Sequence, residues 1–221
     1  MRTSKFIVLE GLDGSGKTYA CMTVKKILKK NGIKKIIIVR EPGSTPIAEK
    51  IRNIIKNFHN YENIDKKTIL LLMYACRIQL IKNIIKPNLK KNIWVISDRH
   101  DMSTFAYQGG GFGIEENTIK TLRNMMIGDF YPDLTIYLDV IPKISLQRIF
   151  IRSQPDNIEI NNIDFFHKIR NSYLQLVKKN SKNITINANL NINIVQQDIK
   201  KKIEIWLKYE NNMEPMVKKV L

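Results

Sequence analysis

The chain has 221 residues, 43% of them hydrophobic, enough for one α/β domain around a single core and short for two. No uninterrupted apolar run approaches the roughly 20 residues that span a bilayer. The start passes from a few polar residues directly into a strand-like run without a long apolar leader, so a cytoplasmic protein with no membrane contact is expected.

Strand-like apolar runs at residues 6–9, 36–39, 94–96 and 134–138, with a weaker one at 184–186, alternate with helix-length segments. The first four runs are continuously apolar, the pattern of parallel strands covered by helices on both faces, which puts function at their C-terminal ends. A helix beginning near Thr18 ends before Gly32, and Thr45 with Pro46 marks the start of another. Residues 66–86 predict a long helix stopped by Pro87. The polar stretch 153–163, with Pro155, predicts a mobile loop between two helices, and the lid is placed at about 148–163. The Asn-rich segment 187–193 predicts a turn. A single domain is expected over 1–209, followed by a tail at 210–221. Cys21 and Cys76 lack C-x-x-C spacing and are expected as unpaired core residues.

The formal charge of +17, from 37 basic and 20 acidic side chains, would by itself suggest a polyanion partner. The abundance of Lys, Ile and Asn together fits a genome biased toward A and T. Pairs such as Lys25-Lys26, Lys29-Lys30 and Lys34-Lys35 have few aromatics between them, so no stacking platform for specific nucleic acid is evident. A basic nucleic-acid-dependent ATPase remains the contrasting hypothesis, and stimulation of ATP hydrolysis by DNA would favour it.

The segment GLDGSGKT, from Gly11 to Thr18, fits G-x-x-x-x-G-K-[ST] between a strand and a helix, the setting of a phosphate-binding loop. Gly11, Gly14 and Gly16 let the backbone at Leu12, Asp13 and Ser15 curl so that N–H groups face phosphate oxygens. Lys17, expected at the surface of its cleft, supplies charge to the β- and γ-phosphates of ATP, and the Thr18 hydroxyl can ligate Mg²⁺. Asp98, after the third apolar run, is placed to orient Mg²⁺ through water. ATPases, GTPases and small-molecule kinases share such loops; no N-K-x-D motif supports a GTPase.

REPGSTP at 40–46 and DRHDMSTFAYQG at 98–109 decide among the rest. With PDLTIYLD at 132–139 and DFF at 164–166, they make the chain resemble bacterial-type thymidylate kinases, which carry R-E-P-G-G-T-P and D-R-[YH]-x-x-S-T-x-A-Y-Q-G. The resemblance covers nearly the whole chain. It implies a P-loop nucleoside monophosphate kinase fold with a five-stranded parallel sheet flanked by helices, a mobile lid, a homodimer, and transfer from Mg-ATP to dTMP. A related monophosphate kinase is the rival enzyme.

The resemblance also implies roles. Arg77 would contact the thymine carbonyl, with Thr104 and Gln108 on the rest of the ring edge. Arg99 would hold the acceptor phosphate, helped by Arg52, and Asp13 would meet the 3′-hydroxyl. Met73, four residues before Arg77 on one helix face, stands where the family usually has a stacking phenylalanine; Tyr74 could stack instead if the helix were rotated. His100 reads as a variant of the family's tyrosine. Gly14 and Ser15 occupy the positions where some members carry a loop arginine, so the transition-state cation falls to Arg152, with Arg148 on the ATP side. Phe150 and Asn157 replace residues that are commonly basic, which thins the lid's charge.

Overall fold

A computed structural model of the chain describes residues 4–57, 63–152, 163–181 and 183–217, with backbone alone at Arg152 and 211–217. In chain order the elements are β1 (Phe6–Gly11), α1 (Lys17–Lys30), β2 (Ile36–Arg40), α2 (Pro46–Asn57), α3 (Lys66–Leu80) and α4 (Lys86–Lys90). Then come β3 (Trp94–Asp98), α5 (Asp101–Thr104), α6 (Glu116–Ile127), β4 (Leu134–Asp139), α7 (Pro142–Arg152), α8 (Ile163–Lys178), β5 (Asn183–Asn187) and α9 (Ile192–Val217).

The five strands form one parallel sheet in the order β2-β3-β1-β4-β5. Alternate residues of β1 feed opposite faces. Ile7 and Leu9 pack with Val24 and Leu28 of α1, Ile169 of α8 and Ile203 of α9. Phe6 and Val8 pack with Leu80, Ile81, Ile85 and Leu89 on the other side. Cover on both faces explains why the strand sequences are uniformly apolar, and burying each such side chain stabilises by roughly 1.5 to 3 kcal/mol. Cys21 and Cys76 are free and buried, as expected.

Thr45 Oγ1 accepts from the Ala48 N–H at 3.2 Å and Pro46 opens α2. Pro87, in contrast, does not stop its helix. A π-helical segment at Ile81–Ile85 shifts the backbone register, and Pro87 falls in the first turn of α4, where its missing N–H costs no helical bond. The resulting stretch Lys66–Lys90 is long and apolar enough, by length and composition, to cross a membrane. Here 44% of its most apolar window is buried inside the fold, and it carries Arg77 on its inner side.

A second π-helical segment, Phe105–Gly111, follows α5. A Cβ on Gly110 would meet Ser172 Cβ at 2.6 Å, so only glycine lets α8 lie this close. The wide turn and the close helix together direct Tyr107 and Gln108 into the cleft beyond the strand ends. The predicted loop at 153–163 joins α7 to α8, and all of it but Ile163, the first residue of α8, lies outside the described residues, as do 218–221 of the tail.

Candidate active site

The loop after β1 curls as its glycines allow: Gly14 has φ +74°, and a Cβ there would meet Ser145 O at 2.5 Å. No side chain caps the first turn of α1, which leaves its N–H groups free for an anion. Lys17 is only 6% exposed, not at the surface as expected, because its ammonium turns inward onto Leu12 O at 2.7 Å and Gly11 O at 3.1 Å. Burial, then the charge of Arg99, pull its pKa down to about 8 against the partial support of Asp13, Asp98 and Glu10. Thr18 Oγ1 donates to Asp98 Oδ2 at 2.9 Å, bringing the two expected metal-side residues together with a hydroxyl lone pair still open. Arg148 Nη1 donates to Ala188 O at 2.9 Å and reaches toward Gly14 O, on the lip of the same cleft. That cleft, about 740 Å³, runs from the phosphate loop to an apolar end at Leu190, Ile192 and Val195.

Arg99 follows β3 with φ +74°, an uncommon value for a non-glycine residue and one that turns its side chain back over the loop. Its Nη1 donates to Gly11 O, Ser103 Oγ and Tyr173 OH, and its Nη2 to Asp13 Oδ1 at 2.5 Å and Tyr107 OH at 3.1 Å. Asp13 Oδ2 accepts from Tyr107 OH at 2.8 Å. Burial alone would raise the Asp13 pKa, but Arg99, Lys17 and Tyr107 outweigh it and hold the carboxyl well below its usual range. Arg52 donates to Pro42 O at 3.0 Å; burial, then the nearby cations Arg40 and Arg99, lower its pKa against the partial support of Glu49 and Asp13.

In an adjoining cavity, which shares Asp13, Arg52 and Arg99 with the loop cleft, Arg77 is 3% exposed. Its Nε donates to Glu41 Oε2 at 2.7 Å, Nη1 to Asp101 Oδ1 at 3.2 Å, and Nη2 to His100 O at 3.0 Å and Thr104 Oγ1 at 2.9 Å. Met73 and Gln108 line the same cavity, and Gln108 Nε2 is buried with no partner among the described residues. Tyr74 does not line it. Its ring lies under the Arg77 guanidinium at 4.8 Å and its hydroxyl donates to Asp101, so the alternative stacking role fails. The expected acceptor-side residues Asp13, Arg52, Met73, Arg77, Arg99, Thr104 and Gln108 therefore share one cavity. The side chain of Arg152 and the lid residues 153–162 lie outside the described residues.

Sequence reasoning passed over four supporting groups: Glu10, Glu41, Asp101 and Tyr107. Glu10 accepts from His100 N, Ser103 N, Ser103 Oγ and Tyr173 OH, and burial raises its pKa despite those donors. The available signal was a carboxylate ending an otherwise apolar strand. Glu41, Asp101 and Tyr107 lie inside the quoted motifs, where their roles needed tertiary partners to become visible.

Among protein families, the model described as "Thymidylate kinase" matches residues 9–199. The thymidylate kinase of Buchnera aphidicola from Schizaphis graminum is 58% identical over 207 residues, covering 94% of this chain and 98% of that protein. The one from Baizongia pistaciae is 49% identical over 211 residues, covering 96% and 100%. A crystal structure of thymidylate kinase from Ehrlichia chaffeensis superposes with a TM-score of 0.73 at 30% identity over 90% of this chain and 98% of its own. The chain belongs to the thymidylate kinase family, ATP-dependent transferases that phosphorylate dTMP to dTDP.

Proposed function

We propose that this chain carries out that transfer where its two cavities meet. The observation that carries the assignment is that Asp13, Arg52 and Arg99 line both the loop cleft and the Arg77 cavity. A triphosphate on the loop and a monophosphate under Arg99 and Arg52 would there face each other. An oxygen of the acceptor phosphate forms the new bond to the γ-phosphorus while the bond to the β–γ bridging oxygen breaks and ADP departs. Phosphoryl transfer of this kind depends on positioning and on stabilising charge.

In this assignment the loop backbone from Gly11 to Thr18 cradles the phosphates, Lys17 neutralises the β- and γ-oxygens, and Arg148 steadies the ATP side. The adenine lies at the apolar end of the cleft near Leu190 and Val195. Arg152, from the lid side, meets the charge that develops on the moving group. Thr18 and Asp98 offer hard oxygens that fit Mg²⁺, and no cluster of three or more acidic, His or Cys side chains could hold a metal alone among the described residues. Mg²⁺, bound chiefly through the triphosphate, would supply charge neutralisation there, with Thr18 as ligand and Asp98 acting through water.

On the acceptor, Arg77 and Gln108 read the thymine edge, with Thr104 beside them and Met73 against the ring; Asp13 meets the 3′-hydroxyl. We assign residues 1–209 to one kinase domain with its lid at about 148–163, active in the cytoplasm. Its dimer face would be the exposed apolar residues Ile47 and Ile54 of α2, Leu71 of α3 and Met125 of α6. A solution mass of one chain at micromolar concentration would refute the homodimer.

The site assignment is tested by offering Mg-ATP with each nucleoside monophosphate and following ADP release. dTMP should be the best acceptor, and a preference for dCMP, GMP or AMP would overturn the assignment of Arg77 and Gln108. Some dUMP activity is expected, since one missing methyl in a pocket costs only about 1 to 3 kcal/mol.

A further inference from the structure

Glu41 lies just past β2, 5% exposed, with both carboxylate oxygens committed. Oε2 accepts from Arg77 Nε at 2.7 Å, and Oε1 sits 2.7 Å from His100 Nδ1. A ring nitrogen this close to a carboxylate oxygen carries the proton, so Nδ1 is the donor. His100 also gives its carbonyl to Arg77 Nη2, and its ring is wedged edge-on against Phe6 at 5.1 Å and Phe130 at 6.1 Å. Asp101 fixes Arg77 Nη1 and is itself held by Arg123 and Tyr74. Four guanidinium hydrogens are thus taken up by the chain, leaving one on Nη1.

An arginine left loose could offer a donor in many directions; one held at four points offers a single hydrogen in a single direction. We propose that Glu41, oriented by the Nδ1 of His100, is the positioning residue that aims the remaining Arg77 N–H at a carbonyl on the pyrimidine edge. Selection against a base with an amino group at that edge follows, because the amino group would face a donor with no acceptor. The inference rests on the assignment of Arg77 to the base.

The test compares Glu41→Gln, His100→Phe, His100→Asn and Arg77→Lys by steady-state kinetics with dTMP, dCMP and ATP. In Glu41→Gln the amide oxygen can keep Arg77, but the amide N–H meets His100 Nδ1, which accepts it only by moving its proton to the buried Nε2, an atom with no partner among the described residues. It should raise the dTMP KM about tenfold and shrink the dTMP-over-dCMP preference similarly, with the ATP KM within about twofold. His100→Phe keeps the ring's place against Phe6 and Phe130 but loses the donor, and should raise the dTMP KM severalfold. His100→Asn returns an N–H near the Nδ1 position and should restore most of that loss. The thermal midpoint of each variant separates lost folding from lost positioning. An unchanged dTMP KM in Glu41→Gln, an equal rise for both nucleotides, or His100→Asn no better than His100→Phe overturns the proposal. If Arg77→Lys also leaves the dTMP KM unchanged, the assignment of Arg77 falls, and the proposal with it.

Discussion

The acceptor cavity and the donor cleft are built differently. Around the acceptor, Arg77 makes four hydrogen bonds and Arg99 five, all to groups of the chain itself. Around the donor, Lys17 rests on two carbonyls of its own loop, Ser15 Oγ is buried with no partner among the described residues, and the N-terminus of α1 has no side-chain cap. Choosing a base requires directional donors fixed in advance, because a wrong base is rejected only by a group that cannot turn away. Transferring a phosphoryl group requires charge that meets the ligand's own, so the donor side is completed by the triphosphate.

The largest effect should come from the donor side. Lys17→Ala is expected to abolish transfer, measured as ADP release with saturating dTMP, while circular dichroism stays native. The empty fold carries the buried ammonium at a cost, so the thermal midpoint without nucleotide should not fall. Near-normal activity would end the phosphate-loop assignment. Arg152→Ala comes next. A donor acting only on transition-state charge is worth about 100- to 1,000-fold in kcat, with little change in either KM. A drop below about fivefold would transfer the role to Arg148 or a lysine.

A smaller and more diagnostic effect follows from the lowered Lys17 pKa. The empty fold is penalised while the buried lysine is charged, and that penalty fades as pH rises from about 8 toward the ordinary lysine value. The triphosphate binds the charged form. Above that point ATP binding must draw a proton, so the ATP KM should climb by up to about tenfold per pH unit while the dTMP KM moves less. A flat ATP KM to high pH would show that Lys17 does not titrate there.

The strands and the phosphate loop were legible because each is encoded locally: uniform apolar runs for the sheet, glycines at fixed offsets for the loop. Membership of one cavity was legible for Met73, Arg77 and Gln108 through the resemblance and helical spacing. The carboxylate partners of Arg77 were not, since Glu41 follows β2 and Asp101 opens α5, and only the fold brings them within 3.2 Å of Arg77. Pro87 misled for a local reason: propensity reads proline as a stop, whereas a preceding π-helical turn moves it to a first-turn position where it is tolerated.

The smallest predicted effect bears on Met73, a thioether side chain in the acceptor cavity. Met73 is half-buried and lines the cavity, while its neighbour Tyr74 faces away to hold Asp101 and underlie Arg77, so no aromatic side chain of α3 is turned toward the base. A base stacked on an aromatic ring gains roughly 1 to 3 kcal/mol, and a thioether against a ring about 0.3 to 1.5 kcal/mol. The difference, near 1 kcal/mol, is about fivefold in affinity. Met73→Phe should therefore lower the dTMP KM about fivefold. The ATP KM should stay in place, because Met73 lines the Arg77 cavity and not the loop cleft. Arg77, pinned at four points, should not shift to accommodate the ring, so dTMP-over-dCMP selection should persist while affinity rises. An unchanged dTMP KM, or equal shifts for both nucleotides, would mean that thymine lies elsewhere in the cavity. A gain in affinity with loss of selection would mean that the Arg77 network is less rigid than its hydrogen bonds imply.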